Sequence, residues 1–116
     1  MMPDENLGER AEALGDLIEF RRPVVEAASA LAAFPWDSPE LVKLTRQQLA
    51  DAVGRCWEGT ISTEDLRAWA EALDGREDVS FEVGGVDLRG VLFELATPEL
   101  FGDVKSTMAE LLERLK

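Results

Sequence analysis

Carboxylates dominate the chemistry that this sequence offers. Of its 116 residues, 24 are Asp or Glu, against 12 Lys or Arg, one cysteine and no histidine. Two carboxyls can share acid–base work when one of them sits in a cleft that favours its protonated form. The pairs present, such as Glu64-Asp65 and Glu77-Asp78, are adjacent in the chain. On a helix or turn, adjacent side chains face different ways and stay solvated, so an enzyme with a carboxylate-based site is only a minor alternative. The missing histidine removes the Ser-His and Cys-His nucleophile pairs and the commonest zinc ligand.

The remaining candidates have simpler explanations. Cys56 falls in an apolar helical stripe with Leu49, Ala52 and Val53, where a thiol acts as a small, inert hydrophobe. Gly59, Ile61 and Asp65 match positions 6, 8 and 12 of a calcium loop, yet positions 1, 3 and 5 are Gly54, Cys56 and Glu58, so one oxygen ligand of three is present. A tight turn followed by a helix cap accounts for the same residues. Gly84-Gly85 lacks the Lys-Ser/Thr that a phosphate-binding loop requires. The sequence therefore predicts no catalytic residue, no metal and no cofactor.

Charge is the more informative signal. The net charge of −12 is unevenly spread. Residues 1–20 hold six acids and one base, and residues 58–82 hold eight acids and two bases, whereas residues 21–57 hold five bases and four acids. Nucleic acid and anionic membranes repel such a chain, while a basic protein is attracted to it. Glu9, Glu12, Asp16 and Glu19 recur at helical spacing with no base among them. Like charges so placed cost a few tenths of a kcal/mol per pair, a cost that a mixed surface would avoid. A second acidic block comprises Glu71, Asp74, Glu77, Asp78 and Glu82. Both are candidate partner-binding surfaces.

The elements that must position these residues read as helices in one domain spanning 1–116. Leu7, Ala11, Leu14 and Ile18 share a face of a helix over about 4–21, and Pro23 opens a second through Ala32. Ser38-Pro39 is a cap followed by a first-turn proline, which predicts a third helix from there to a close at Gly59-Thr60, with Leu41, Val42, Thr45, Leu49 and Cys56 inward. Ser62 and Asp65 form a capping box for a helix over 63–74, stopped by Gly75. Val79, Phe81 and Val83 alternate and predict an extended piece at 79–83, with a helix at about 87–96; a hairpin over 79–90 would set Glu82 opposite Asp87. Thr97-Pro98-Glu99 begins a further short turn, and a last helix starts near Asp103. The fold class is thus all-α: a compact bundle of five to six helices with at most a minor extended segment or hairpin near 79–90.

Hydrophobic residues make up 46% of the chain, enough for a packed core, and no run approaches the ~18 apolar residues that span a bilayer. The first residues are acidic where a secretory signal is basic, and a single cysteine suits a reducing compartment; the expected location is the cytoplasm. Of the three tryptophans, Trp69 lies on an inward stripe, Trp57 is expected to pack at a helix end, and Trp36, in a loop between Pro35 and Pro39, is the candidate exposed anchor.

Trp57-Glu58-Gly59-Thr60-Ile61-Ser62, then Leu66 and Trp69-Ala70, then Arg76-Glu77-Asp78-Val79-Ser80-Phe81, and finally Leu95-Ala96-Thr97-Pro98-Glu99-Leu100 together resemble small bacterial helical proteins, among them colicin-type immunity proteins. The resemblance covers roughly residues 49–102 and is a pattern of tryptophans, turns and caps. It implies a small, acidic, non-catalytic protein that blocks a basic toxin domain, and it carries over no functional residues. The expected function is that of an acidic protein-binding domain neutralising a basic toxin or enzyme domain. The alternative is a cytoplasmic adaptor or regulatory subunit whose acidity serves solubility.

Overall fold

Helix caps set most of the element boundaries. In a computed structural model, which describes residues 4–34, 40–97 and 104–115, six helices and two short strands follow in the order α1 (Asp4–Ile18), α2 (Val24–Leu31), β1 (Val42–Leu44), α3 (Arg46–Trp57), α4 (Thr63–Leu73), β2 (Val79–Phe81), α5 (Leu88–Ala96) and α6 (Val104–Arg114). At the start of α4 the Ser62 hydroxyl accepts from Asp65 N and the Asp65 carboxylate accepts from Ser62 N, as the sequence predicts. The Asp87 carboxylate accepts from Gly90 N at 3.1 Å and starts α5. The short turn expected at Pro98-Glu99 lies outside the described residues.

The third helix begins later than the sequence predicts. Ser38 and Pro39 lie outside the described residues, but Val42–Leu44 is a strand and α3 opens only at Arg46. Thr45 is its cap. Thr45 adopts an extended backbone, its hydroxyl accepts from Gln48 N at 3.1 Å, and the Gln48 side chain accepts from Thr45 N at 3.0 Å. This reciprocal pair closes the helix toward its N-terminus and leaves Val42–Leu44 to pair with β2. The two strands are parallel, with Val42, Lys43 and Leu44 opposite Val79, Ser80 and Phe81. The extended segment near 79 is therefore one edge of a two-stranded parallel sheet, and the hairpin alternative does not form.

The buried residues form one continuous core drawn from every described element. α1 packs on α2, α2 on α4, α4 on α5, and α3 on α6. The inward face of α1 holds Arg10, Ala13, Leu14, Leu17 and Ile18, rotated from the predicted stripe so that Ala11 is only half-buried. Cys56 is buried, as the stripe predicts. No helix among the described residues is long and apolar enough to cross a membrane.

Two features hold α1 in place. At its middle, Arg10 enters an ionic cluster with two residues from beyond α4. The Arg76 Nε and Nη2 atoms donate to the two Asp78 carboxylate oxygens at 2.9 Å each, and Arg10 Nη1 lies 3.6 Å from Asp78 Oδ2. Asp78 is wholly buried and both arginines are nearly so. At its C-terminal end, Phe20 takes a left-handed backbone, φ 57°, at the position of a helix stop usually held by glycine. Arg21 N donates to the Asp16 carbonyl and Phe20 N to that of Leu17, which completes the stop. The strain is offset by packing: the Phe20 ring stacks on Trp69 at 5.8 Å and 9°, with the Arg55 guanidinium 4.7 Å over its centroid.

Trp69 itself is fully buried, and its indole N–H donates to the Leu17 carbonyl at 2.9 Å. Trp69→Phe removes that donor, leaving the Leu17 carbonyl only its bond from Phe20 N, and the smaller ring leaves space in the core; the lost bond and the lost packing together cost at least about 1 kcal/mol. Urea unfolding is expected to show a fall of at least about 1 kcal/mol; an unchanged midpoint would mean that the bond contributes nothing to holding α1 on α4.

Candidate functional site

The acids nominated by sequence separate into several roles once placed. On α1, Glu9 and Glu12 are exposed and Asp16 is half-buried, in one stripe opposite the core face, and Glu19, just past its end, is exposed. The stripe is not free of bases in space. Arg21 Nη1 lies 3.3 Å from Asp16, and its Nη2 lies 3.5 Å from Glu19. Glu9 and Glu12 have no ion pair among the described residues, so the unscreened charge of α1 sits toward its N-terminal half.

The second acidic block is not one surface. Asp78 is an interior residue: zero exposure and two arginine partners take it out of any partner-binding set. Charge counting places it on the surface because burial is invisible to counting. Glu71 pairs with Arg67 one helical turn earlier at 3.3 Å. Asp74 is half-buried and ends α4 in an extended conformation. The Glu82 carboxylate accepts from Arg46 N at 2.9 Å and so caps α3 from 36 residues away. Glu77 is exposed. Trp36 lies outside the described residues.

The fold also assembles acids that the charge blocks do not show. Leu41 N donates to the Asp78 carbonyl at 2.9 Å, which brings Glu40 beside residue 77. Glu40, Glu77, Glu82 and Asp87 then line a groove of about 710 Å³ that follows β2 and the start of α5. Val79, Phe81 and Val83 contribute its apolar part. Two arginines also line it: Arg76 is held by Asp78, and Arg89 lies over the Phe81 ring at 4.6 Å. Four carboxylates around one concave wall make its potential negative and focus it. Glu40 and Asp87 come from segments of near-neutral and weakly acidic composition, so only the β1–β2 pairing reveals them.

Trp57 takes a position opposite to the one expected. Trp57 is 55% exposed rather than packed at its helix end, and it lines a cleft with Ala109, Leu112 and Leu115. The turn after it is a helix stop: Gly59 has φ 85°, and Thr60 N donates to the Arg55 carbonyl at 2.8 Å. Asp65, the acid at the end of the calcium-like pattern, is engaged in the α4 cap.

Comparison of the chain with known protein families, with characterised proteins and with solved structures finds no match. The resemblance to immunity proteins accordingly rests on its own residues, and the arrangement of charge has to be interpreted on physical grounds.

The cap formed by Glu82 separates structure from surface chemistry. Glu82→Ala is expected to lower stability by about 1 kcal/mol through loss of that acceptor, whereas Glu82→Gln keeps an oxygen there and retains most of it. Glu77→Ala, at an exposed position, is expected to stay within about 0.5 kcal/mol of the parent. Thermal unfolding of the three variants checks this order.

Proposed function

We propose that this protein is a non-catalytic, acidic protein-binding domain whose partner presents a basic surface, in the manner of an inhibitor or immunity protein acting on a basic toxin or enzyme domain. The observation that supports it is the distribution of exposed carboxylates. Glu9 and Glu12 on α1, and Glu40 and Glu77 at the groove, face solvent with no ion pair among the described residues. Concentrated charge of one sign speeds encounter with an opposite surface and disfavours nucleic acid. Affinity that lasts requires a desolvated anchor as well, and Trp57 beside Leu112 offers one. We place the protein in the cytoplasm, where its one cysteine would remain reduced.

A second reading has an observation of its own. Arg55–Asp51, Arg67–Glu71 and Arg22–Glu26 are exposed i,i+4 pairs, the pattern of a surface arranged for solubility. An adaptor or regulatory subunit fits these faces of the molecule as well as an inhibitor does.

Association kinetics distinguish the readings. With a basic partner protein in hand, Glu9→Lys/Glu12→Lys is expected to slow association at least about tenfold at low salt and to leave dissociation nearly unchanged, because steering acts on encounter. The parent rate is expected to fall as salt shortens the screening length toward ~8 Å. Association that ignores both the reversal and the salt would assign the acidity to solubility. The melting temperature of the variant, expected to stay at or above that of the parent, guards against a folding artefact.

A further inference from the structure

We infer that the cleft between α3 and α6 beside Trp57 seats a large apolar side chain carried on an arginine-rich segment of a partner protein. This rests on the acidic-binding reading above and names where, and with what kind of segment, the lasting contact is made.

Trp57 ends α3 with 55% of its surface exposed, which leaves much of a large apolar ring in water. The cleft that it borders has a volume of about 390 Å³, within the roughly 300–1,000 Å³ of clefts that hold ligands. Gln47, Ala50 and Trp57 form its α3 wall, and Ala109, Leu112 and Leu115 its α6 wall. Leu115 is buried and Leu112 half-buried, so the floor is apolar. Gly54 is an independent observation. Positions 47, 50, 54 and 57 share one face of α3 at helical spacing. Glycine in a helix interior is costly relative to alanine, a cost that close approach of another group to the backbone can offset. No group of this chain accounts for it among the described residues: a Cβ on Gly54 would meet no atom within 4 Å. The bare helix surface next to Trp57 is therefore open to a group from outside the fold.

Charge selects that group. Glu58, adjacent to Trp57, and Glu110, one turn before Glu113 on α6, are exposed with no ion pair among the described residues, and Glu113 lines the cleft itself. No lysine or arginine lines it among the described residues. An apolar side chain flanked by arginines suits both parts. The cleft desolvates the apolar group, the carboxylates attract the guanidinium groups, and one of these stacks on the exposed indole face. The same carboxylates repel a second copy of a chain carrying −12 and the phosphates of nucleic acid.

The test uses the intact, isotope-labelled protein at low salt and three synthetic peptides of equal length, composed of arginine with leucine, arginine with serine, and glutamate with leucine. The arginine–leucine peptide is expected to shift the Trp57 indole and Leu112 methyl resonances and to leave the buried Trp69 indole unmoved. The arginine–serine peptide is expected to bind at least about tenfold more weakly, and the glutamate–leucine peptide not at all. Gly54→Leu covers the bare face with a better helix former. It is expected to melt at or above the parent temperature yet to bind the arginine–leucine peptide at least about tenfold more weakly. Glu58→Lys/Glu110→Lys, at two exposed positions, is expected to weaken that binding by a similar factor. Equal binding of the leucine and serine peptides of arginine, or parent affinity in a folded Gly54→Leu, overturns the apolar seat. Binding of the glutamate–leucine peptide, or parent affinity in Glu58→Lys/Glu110→Lys, overturns selection by charge. Shifts confined to α1 or to the groove beside β2, with Trp57 unmoved, overturn the cleft as the site and leave the acidic-binding reading standing. Trp57 resonances that move with protein concentration alone make a second copy the occupant and overturn the proposal. No binding of either cationic peptide overturns both.

Discussion

The interaction on which the rest of this structure depends is the buried cluster of Asp78 with Arg76 and Arg10. Removing three charges from water carries a heavy desolvation penalty, which only good geometry offsets. The geometry here includes two parallel 2.9 Å bonds from Arg76 and a second guanidinium at 3.6 Å from Arg10. The main chain of the same residue accepts from Leu41 N and Val42 N. One residue thus joins α1, the segment after α4 and β1. Arg10 also lies 5.5 Å from the Phe34 ring centroid, which draws the end of the α2 region onto the same point. Such a cluster contributes to specificity more securely than to net stability: any register of β2 that moves Asp78 by one residue puts its carboxylate on the wrong face and leaves two guanidinium groups without it.

That constraint also sets the surface. With Asp78 inward, Glu77 must face out, and the bonds from Leu41 and Val42 fix Glu40 next to it. The acids of the chain consequently do different things according to where the core holds them. Asp78 compensates interior cations. Asp65, Asp87 and Glu82 cap the starts of helices. Asp51, Glu71 and Glu26 pair with arginines one helical turn away. Glu9, Glu12, Glu40 and Glu77, together with Glu58, Glu64 and Glu110, are exposed with no ion pair among the described residues and shape the external field. A net charge of −12 is therefore a poor measure of the charge that faces solvent unpaired.

Much of the fold was legible because its signals are local. The Ser62–Asp65 box, the start of α5 near residue 87 and the apolar spacing of Leu49, Ala52, Val53 and Cys56 each depend on residues within a few positions, and each element is present. The start of α3 is not legible by residue type alone, because the sequence offers two caps. Ser38-Pro39 is the stronger pair by residue type, but Thr45 with Gln48 is the one that closes α3. β1 was hidden for another reason: three residues carry almost no periodicity, and their partner lies 37 positions away in a parallel arrangement. The acidic groove was hidden with it. The interior role of Asp78 did leave a trace, since Arg10 is the one base in the first 20 residues and lies four before Leu14 on what proves to be the core face of α1. Long-range ionic pairing of that kind becomes visible only when a base on an apolar stripe is treated as a demand for a buried acid.

If Asp78 holds β1 against β2, amide hydrogen exchange of Asp78→Asn compared with the parent shows it most directly. Asparagine fits the space but takes the carboxylate charge away from two buried guanidinium groups, a loss of about 3–5 kcal/mol for a broken buried pair. The account predicts that Leu41, Val42 and Glu82, whose N–H groups bridge the strands, lose protection first and most, while the cores of α4 and α5 keep a larger share of theirs. Protection at those three amides that matches the parent, or falls only in step with every other buried amide, would contradict the claim that this one cluster fixes the sheet and the groove built on it.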